Sequence, residues 1–378
     1  MEIKRILVMV GVVLTGAMPA LAQGMFWSFP YATSGYAEGV SDNGVVSGSG
    51  DGAGGFFIWT ANGGVVAIGG NPPGNGIGGQ GRISNDGARV CGNSTNSTTG
   101  LSELSLYEVA AGTWTPMGGI GGSSGAETSS GWSISGDGQS LVGLGWVDGG
   151  TAHAVQWVEG VGLFDLGSTV VGQSTRANGV DLDGNVVCGW QDGNGRQGAV
   201  WVDGVQELIW VEAGVAAQEA LAASDNGVYV TGIGYGDFSS PGNAYRYNTV
   251  TDVYEVLPNL AVGGEQNMAG ASITAHGSTI VGGTWPMGPA TWGKAIIWRE
   301  GVGTVSLADY LDEMGVTYPS GYNFNFASDI SSDGRWIIGW GGTGFGADEN
   351  FVVFIPDQVL FADGFETGDT GEWDFVVP

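Results

Sequence analysis

Val40-Ser41-Asp42-Asn43-Gly44-Val45-Val46-Ser47-Gly48 is the stretch on which the fold turns. A small apolar residue and a hydroxyl lead into a turn ending in Gly, and a short β-branched run follows, closed by a second Gly. The pattern returns as Ile83-Ser84-Asn85-Asp86-Gly87 to Gly92, Ile134-Ser135-Gly136-Asp137-Gly138 to Gly143, and Val180-Asp181-Leu182-Asp183-Gly184 to Gly189. Three more copies follow: Ser224-Asp225-Asn226-Gly227 to Gly232, Ile273-Thr274-Ala275-His276-Gly277 to Gly282, and Ile330-Ser331-Ser332-Asp333-Gly334 to Gly339. Asn, Asp and Gly accept positive φ, so each copy predicts a tight antiparallel hairpin. A repeat of this length marks a solenoid, propeller or array.

Outward from each hairpin the pattern continues. A third strand-like piece ends in an aromatic: Trp59, Tyr107, Trp157, Trp201, Tyr247, Trp298 and Phe354. A fourth carries Leu, Ile or Met near a Gly, as in Leu163-Phe164-Asp165-Leu166-Gly167, and the seventh copy lacks it. Four short antiparallel strands per copy predict an all-β, seven-bladed β-propeller of four-stranded blades. A parallel β-helix is the rival, but its coils are shorter and lack repeated tight hairpins. Met25-Phe26-Trp27-Ser28-Phe29 is expected to supply the missing strand, closing the ring and removing its exposed edge. Strand direction then puts the tight turns on one face and the long, varied connections on the other, where binding is expected.

Around the repeats the chain divides into a leader over 1–22, the repeat domain over 23–356 and an acidic tail over 357–378. Lys4 and Arg5, the apolar stretch Ile6 to Met18, and Ala20-Leu21-Ala22 form a secretion signal cleaved after Ala22. The apolar run is too short to span a bilayer, so the mature protein is expected outside the cell or at its surface, as a monomer. Formal charge is -28, with 10 Lys plus Arg against 38 Asp plus Glu. Such a surface repels nucleic acid and anionic headgroups. Aromatics recurring in register with the repeat separate this chain from disordered acidic sequences.

His153-Ala154-Val155-Gln156-Trp157, with degenerate versions at Lys294-Ala295-Ile296-Ile297-Trp298 and Asn243-Ala244-Tyr245-Arg246-Tyr247, resembles the His-Ala-Phe piece of extracellular HAF-repeat proteins. The resemblance covers roughly residues 37–356. It implies a secreted bacterial repeat protein and carries no catalytic residues over. Asp363-Gly364-Phe365-Glu366-Thr367-Gly368-Asp369 resembles a short C-terminal tail shared by many exported bacterial proteins, which implies a portable secretion or attachment element.

Few residues are left for chemistry. His153 sits in a polar repeat column, and His276 replaces Asn or Asp in a turn, so neither points to a catalytic triad. Cys91 and Cys188 share one column in non-neighbouring copies, too far apart to bridge, and are expected as buried thiols. Most Asp residues are turn residues. No cofactor is expected; calcium is the one ion the acidic residues suggest, at Asp363, Glu366 and Asp369, and more faintly at Asp181 and Asp183. Aromatics one or three residues past the closing Gly rise above the scaffold: Trp146, Trp190, Tyr235, Trp285 and Trp340, with Trp292 nearby. They predict a glycan- or polymer-binding surface on the varied face of a non-enzymatic module. A polysaccharide hydrolase or lyase using channel carboxylates is the alternative, and a purely structural or adhesive surface protein is a third reading.

Overall fold

A computed structural model describes residues 23–31, 35–50, 54–234, 242–260, 267–284, 293–344 and 346–356. It contains seven four-stranded antiparallel sheets, arranged as the blades of a propeller. The inner strands are Tyr36–Val40, Arg82–Ile83, Ser129–Ile134, Thr175–Val180, Glu219–Ala223, Met268–Ile273 and Asn323–Ile330. Six blades run inner to outer in chain order. In the seventh the outermost strand is Met25–Pro30, which pairs with Glu349–Phe354 along its whole length. Trp27 and Phe29 hold this closing strand. Trp27 stacks on Trp336 at 5.9 Å and Phe29 on Trp59 at 5.6 Å, so the strand is packed against both the last blade and the first.

The turn chemistry explains the hairpins. Ser41 Oγ accepts from the Val45 backbone N–H at 2.9 Å, and Ser135, Ser224 and Ser331 do the same for Ser140, Tyr229 and Trp336. The following Gly sits at positive φ, 79° at Gly44 and 75° at Gly138, where a side chain is disfavoured. Each turn also donates to the next blade: Asp42 N to Asn85 O, Asn85 N to Gly136 O, Gly136 N to Asp181 O, and Leu182 N to Asp225 O. Asn226 N to Ala275 O and Ala275 N to Ser332 O carry the chain of bonds onward. The last step uses a side chain, with Ser332 Oγ and Asp333 N donating to the Asp42 carboxylate at 2.8 and 3.2 Å.

The core is a ring of seams between neighbouring blades. Val186, Cys188 and Val200 of the fourth blade pack with Ala220, Val230 and Tyr245 of the fifth. Ile338 and Val352 of the seventh meet Val46, Phe57 and Trp59 of the first, with Phe29 between them. Cys91 and Cys188 are free and buried in such seams, and burial pushes both thiols up. Two elements depart from the repeat. A hairpin, Trp210–Glu212 with Val215–Ala216, sits between the fourth and fifth blades. A short helix, Leu307–Glu313, follows the sixth, capped by Ser306 and buried through Leu307 and Leu311. Leu307 ends a segment that reads as an ordinary outer strand, and only the Ser-x-x-Asp cap separates the two. Among the described residues no helix is long and apolar enough to cross a membrane.

Candidate functional site at the channel mouth

The inner strands carry a feature that the repeat pattern does not advertise. In the first blade Ala37 pairs with Gly48 and Gly39 with Ser47, so Glu38 is an extra, unpaired residue. The same bulge isolates Trp132, Asn178, Leu221, Ala271 and Ser328 in later blades. A bulge bends the strand and re-aims the extra side chain. Here it aims all six at the propeller axis. The closing Gly of these six repeats makes room for this. A Cβ on Gly48, Gly143, Gly189, Gly232, Gly282 or Gly339 would collide with the backbone carbonyl of Tyr36, Ser130, Arg176, Glu219, Ala269 or Phe326. The bulged inner strand lies directly against those glycines.

The six bulge residues line one cavity of about 490 Å³, at the end of the channel away from the tight turns. One wall is aromatic. Phe326 stacks on Trp340 at 5.2 Å, Tyr36 meets Trp340 edge-on at 5.1 Å, and Tyr31 extends the ladder to Tyr36 at 4.8 Å. Tyr36 is 44% exposed. The opposite wall is polar. The Arg176 guanidinium lies 3.7 Å over the Trp132 ring, donates to Asn178 Oδ1 at 2.7 Å, and approaches Glu219 at 3.6 Å. Arg196 binds the other Glu219 oxygen at 2.7 Å. Leu221, Ala269 and Ala271 fill the apolar side between these walls.

Burial sets the electrostatics. It lowers the Arg176 pKa to about 10, with Glu219 pulling the other way, so the guanidinium is charged at neutral pH. Burial raises the Glu38 carboxyl to about 7, against the Gly81 N–H, the Ser49 hydroxyl and Arg82, which favour its anion. Below this layer Arg82 pairs with Asp329 at 3.4 Å, and burial raises the Asp329 carboxyl despite that partner. The two come from blades on either side of the first, across Gly39. Two of the chain's few cations, Arg82 and Arg176, therefore line the channel, and Arg196 backs Glu219 from the third strand of its blade. A guanidinium stacked on an aromatic while holding a carboxylate is an ordered, directional donor.

The residues expected from sequence divide three ways. Trp340 lines the cavity, and its Nε1 donates to Ala37 O at 3.2 Å. Trp190 is 5% exposed and packs with Arg176 and Arg196, at 5.1 and 3.8 Å, so it supports the cations. Trp146 donates to Glu127 at 3.0 Å, and that buried carboxylate also accepts from Gly78 N at 2.9 Å. Tyr235, Trp285 and Trp292 lie outside the described residues, as do the calcium candidates Asp363, Glu366 and Asp369. Sequence reasoning missed Tyr36, Glu38, Trp132, Arg176 and Glu219. The available signal was the position three residues before the turn hydroxyl, which varies freely while its neighbours stay small: Glu38, Trp132, Asn178, Leu221, Ala271, Ser328.

The comparisons with known proteins bear on the fold. No family model matches the chain, and no curated protein does either. Among solved structures, an oligogalacturonate lyase from Vibrio parahaemolyticus is similar with a TM-score of 0.54 at 12% identity, over 90% of this chain and 99% of that one. The β-propeller domain of the Trilobed protease from Pyrococcus furiosus is similar with a TM-score of 0.50 at 10% identity, over 91% and 100%. TolB from Acinetobacter baumannii is matched at 13% identity and a TM-score of 0.43, over 71% of this chain. The chain spans less than two thirds, 61%, of that TolB. Identities this low carry the propeller architecture and nothing about activity.

Proposed function

We propose that this chain is an exported propeller that binds a hydroxyl-rich glycan or extracellular polymer at its channel mouth. One observation carries the reading: a single open cavity sets an aromatic wall of Tyr36, Phe326 and Trp340 against a polar wall of Arg176, Asn178 and Glu219. Sugar rings need both, an apolar face to stack and hydroxyls to place against fixed donors and acceptors. The sequence-expected surface of scattered Trp residues is thereby narrowed to one site. Export, expected from residues 1–22, would bring the mouth to such polymers, and N-terminal sequencing of secreted protein checks it.

The test is a saccharide panel, neutral and acidic, probed with the mature protein and confirmed by calorimetry. Trp340→Ala and Trp132→Ala should each weaken binding at least tenfold while leaving the circular dichroism spectrum unchanged. Equal affinity in folded variants would remove the mouth as the site.

Glu38 and Glu219 favour a second reading, hydrolysis of the bound polymer, because both line the cavity and burial raises the Glu38 carboxyl to about 7. Both carboxyls also have structural partners, which is why binding stands first. Release of new reducing ends, abolished by Glu38→Gln, would reverse that order.

A further inference from the structure

The two ends of the channel are built differently. At the turn end, Asn85 Nδ2 donates to Asp225 Oδ2 at 2.8 Å. Asn85 belongs to the second blade and Asp225 to the fifth. In a ring of seven these are not neighbours, so the bond between them has to cross the axis. Others converge on the same point. The Ser332 hydroxyl, from the seventh blade, lines the same space as Asn85 and Asp225 and holds Asp42 of the first blade at 2.8 Å. Four blades thus meet on the axis, inside the ring of turn-to-turn backbone bonds.

Above this floor an ion pair narrows the channel along the first blade. Arg82 reaches Asp329 at 3.4 Å over Gly39, and Asp329 accepts from Val40 N at 2.8 Å. A Cβ at Gly39 would meet Ser47 Oγ at 2.8 Å and Ile83 N at 3.0 Å, so the first and second inner strands lie in close contact here. Between this ion pair and the floor the free space is about 80 Å³, against about 490 Å³ at the mouth. The wide space is within the range of about 300–1,000 Å³ typical of small-molecule sites. The narrow one is not.

We propose that the channel is a blind pocket that takes the terminal unit of a glycan chain end-on, and that it excludes chain interiors. This rests on the glycan-binding reading above and adds to it which part of the polymer is recognised. An internal segment would have to thread the axis or bend into a closed well and out again past Tyr36 and Trp340. A chain end has only to enter. The aromatic wall then takes the flat face of that last ring, and Arg176 with Asn178 and Glu219 takes its hydroxyls. Recognition of this kind counts chain ends, so its strength per polymer is independent of polymer length.

Two arms test it on the mature protein. The first uses gluco-, manno- and galacto-oligosaccharides of graded length, each free and with both terminal units capped by O-methylation. End-on binding predicts one affinity per chain beyond the shortest members and at least a tenfold loss on capping. Affinity rising in proportion to length, indifferent to caps, would overturn end-on recognition and leave glycan binding intact. No binding by any saccharide, free or capped, would overturn the glycan reading and this inference with it. The second arm needs no glycan. In Trp132→Cys and Ser272→Cys proteins, a small water-soluble methanethiosulfonate should modify the thiol in the mouth at least tenfold faster than the buried one beyond the Arg82–Asp329 pair. Equal rates would show a through-channel and overturn the blind pocket.

Discussion

The seven turns and the inner-strand bulge positions occupy the same short segments, a few residues apart, yet they obey different rules. The turns are nearly identical because each must satisfy its own backbone. A hydroxyl caps the second strand, an Asn or Asp bends the chain, and a Gly takes positive φ. The bulge residues Glu38, Trp132, Asn178, Leu221, Ala271 and Ser328 share a backbone conformation and no side-chain chemistry. They line the cavity instead of a turn, so the repeat imposes no single side chain on them, and each finds its own partners, as Asn178 does on Ala220 O and Ser328 on Ala37 O. Uniformity marks where the fold is made, and variety marks where it has been left free.

The contrast can be broken most severely at the closing strand. Deleting residues 23–30 exposes the paired edge of Glu349–Phe354 and the Trp59 and Trp336 faces, and should abolish the cooperative unfolding transition seen by calorimetry. Phe29→Ala alone should cost about 3–5 kcal/mol, the usual range for a buried aromatic. Next comes the closing glycine. Gly189→Ala drives a methyl into the Arg176 carbonyl and should cost about 1–3 kcal/mol or more by overpacking. Gly149→Ala, in an open loop, should stay within about 0.5 kcal/mol in the same denaturant titration.

A smaller effect separates the one turn that departs from its column. Asp181 stands where other copies have Ser or Thr, and burial raises its carboxyl to about 7. A raised folded pKa means that stability is fully present below the ordinary carboxylate pKa and is lost as pH rises through about 7. Asp181→Ser should therefore raise the melting temperature at pH 8, by roughly 1–2 kcal/mol of stability, and change little at pH 4. Glu38→Gln should flatten the same alkaline loss, because its folded pKa of about 7 is shifted in the same direction. A melting profile as steep as the parent's in both variants would discard this account. A small stability effect is also expected in the bulge column. Ala271→Asn should leave stability within about 1 kcal/mol, while changing which saccharides bind.

Much of the architecture was legible because it is local. Turn residues declare themselves within five positions, and their repetition fixes blade number. The absence of an outer strand after Phe354 pointed to Met25–Phe29, and the pairing is there. Cys91 and Cys188 were readable as buried from their column alone. The site was not legible in the same way. A bulge adds one residue to a strand and leaves no mark in the hydrophobic pattern, so Glu38 and Trp132 looked like ordinary strand residues. Trp190 and Trp340 both stand one residue past a closing Gly. One supports Arg176 and Arg196, and the other lines the mouth beside Tyr36.

What the sequence determined by itself is therefore the blade: its turns, its strand count and the strand that closes the ring. These follow from backbone preferences that act over a few residues. The tertiary structure decided the channel. Glu38, Arg176, Glu219 and Trp340 are spread along most of the chain, and only ring closure brings them to one cavity. It also decided which end is open, because the Asn85–Asp225 bond joins blades that no local signal relates.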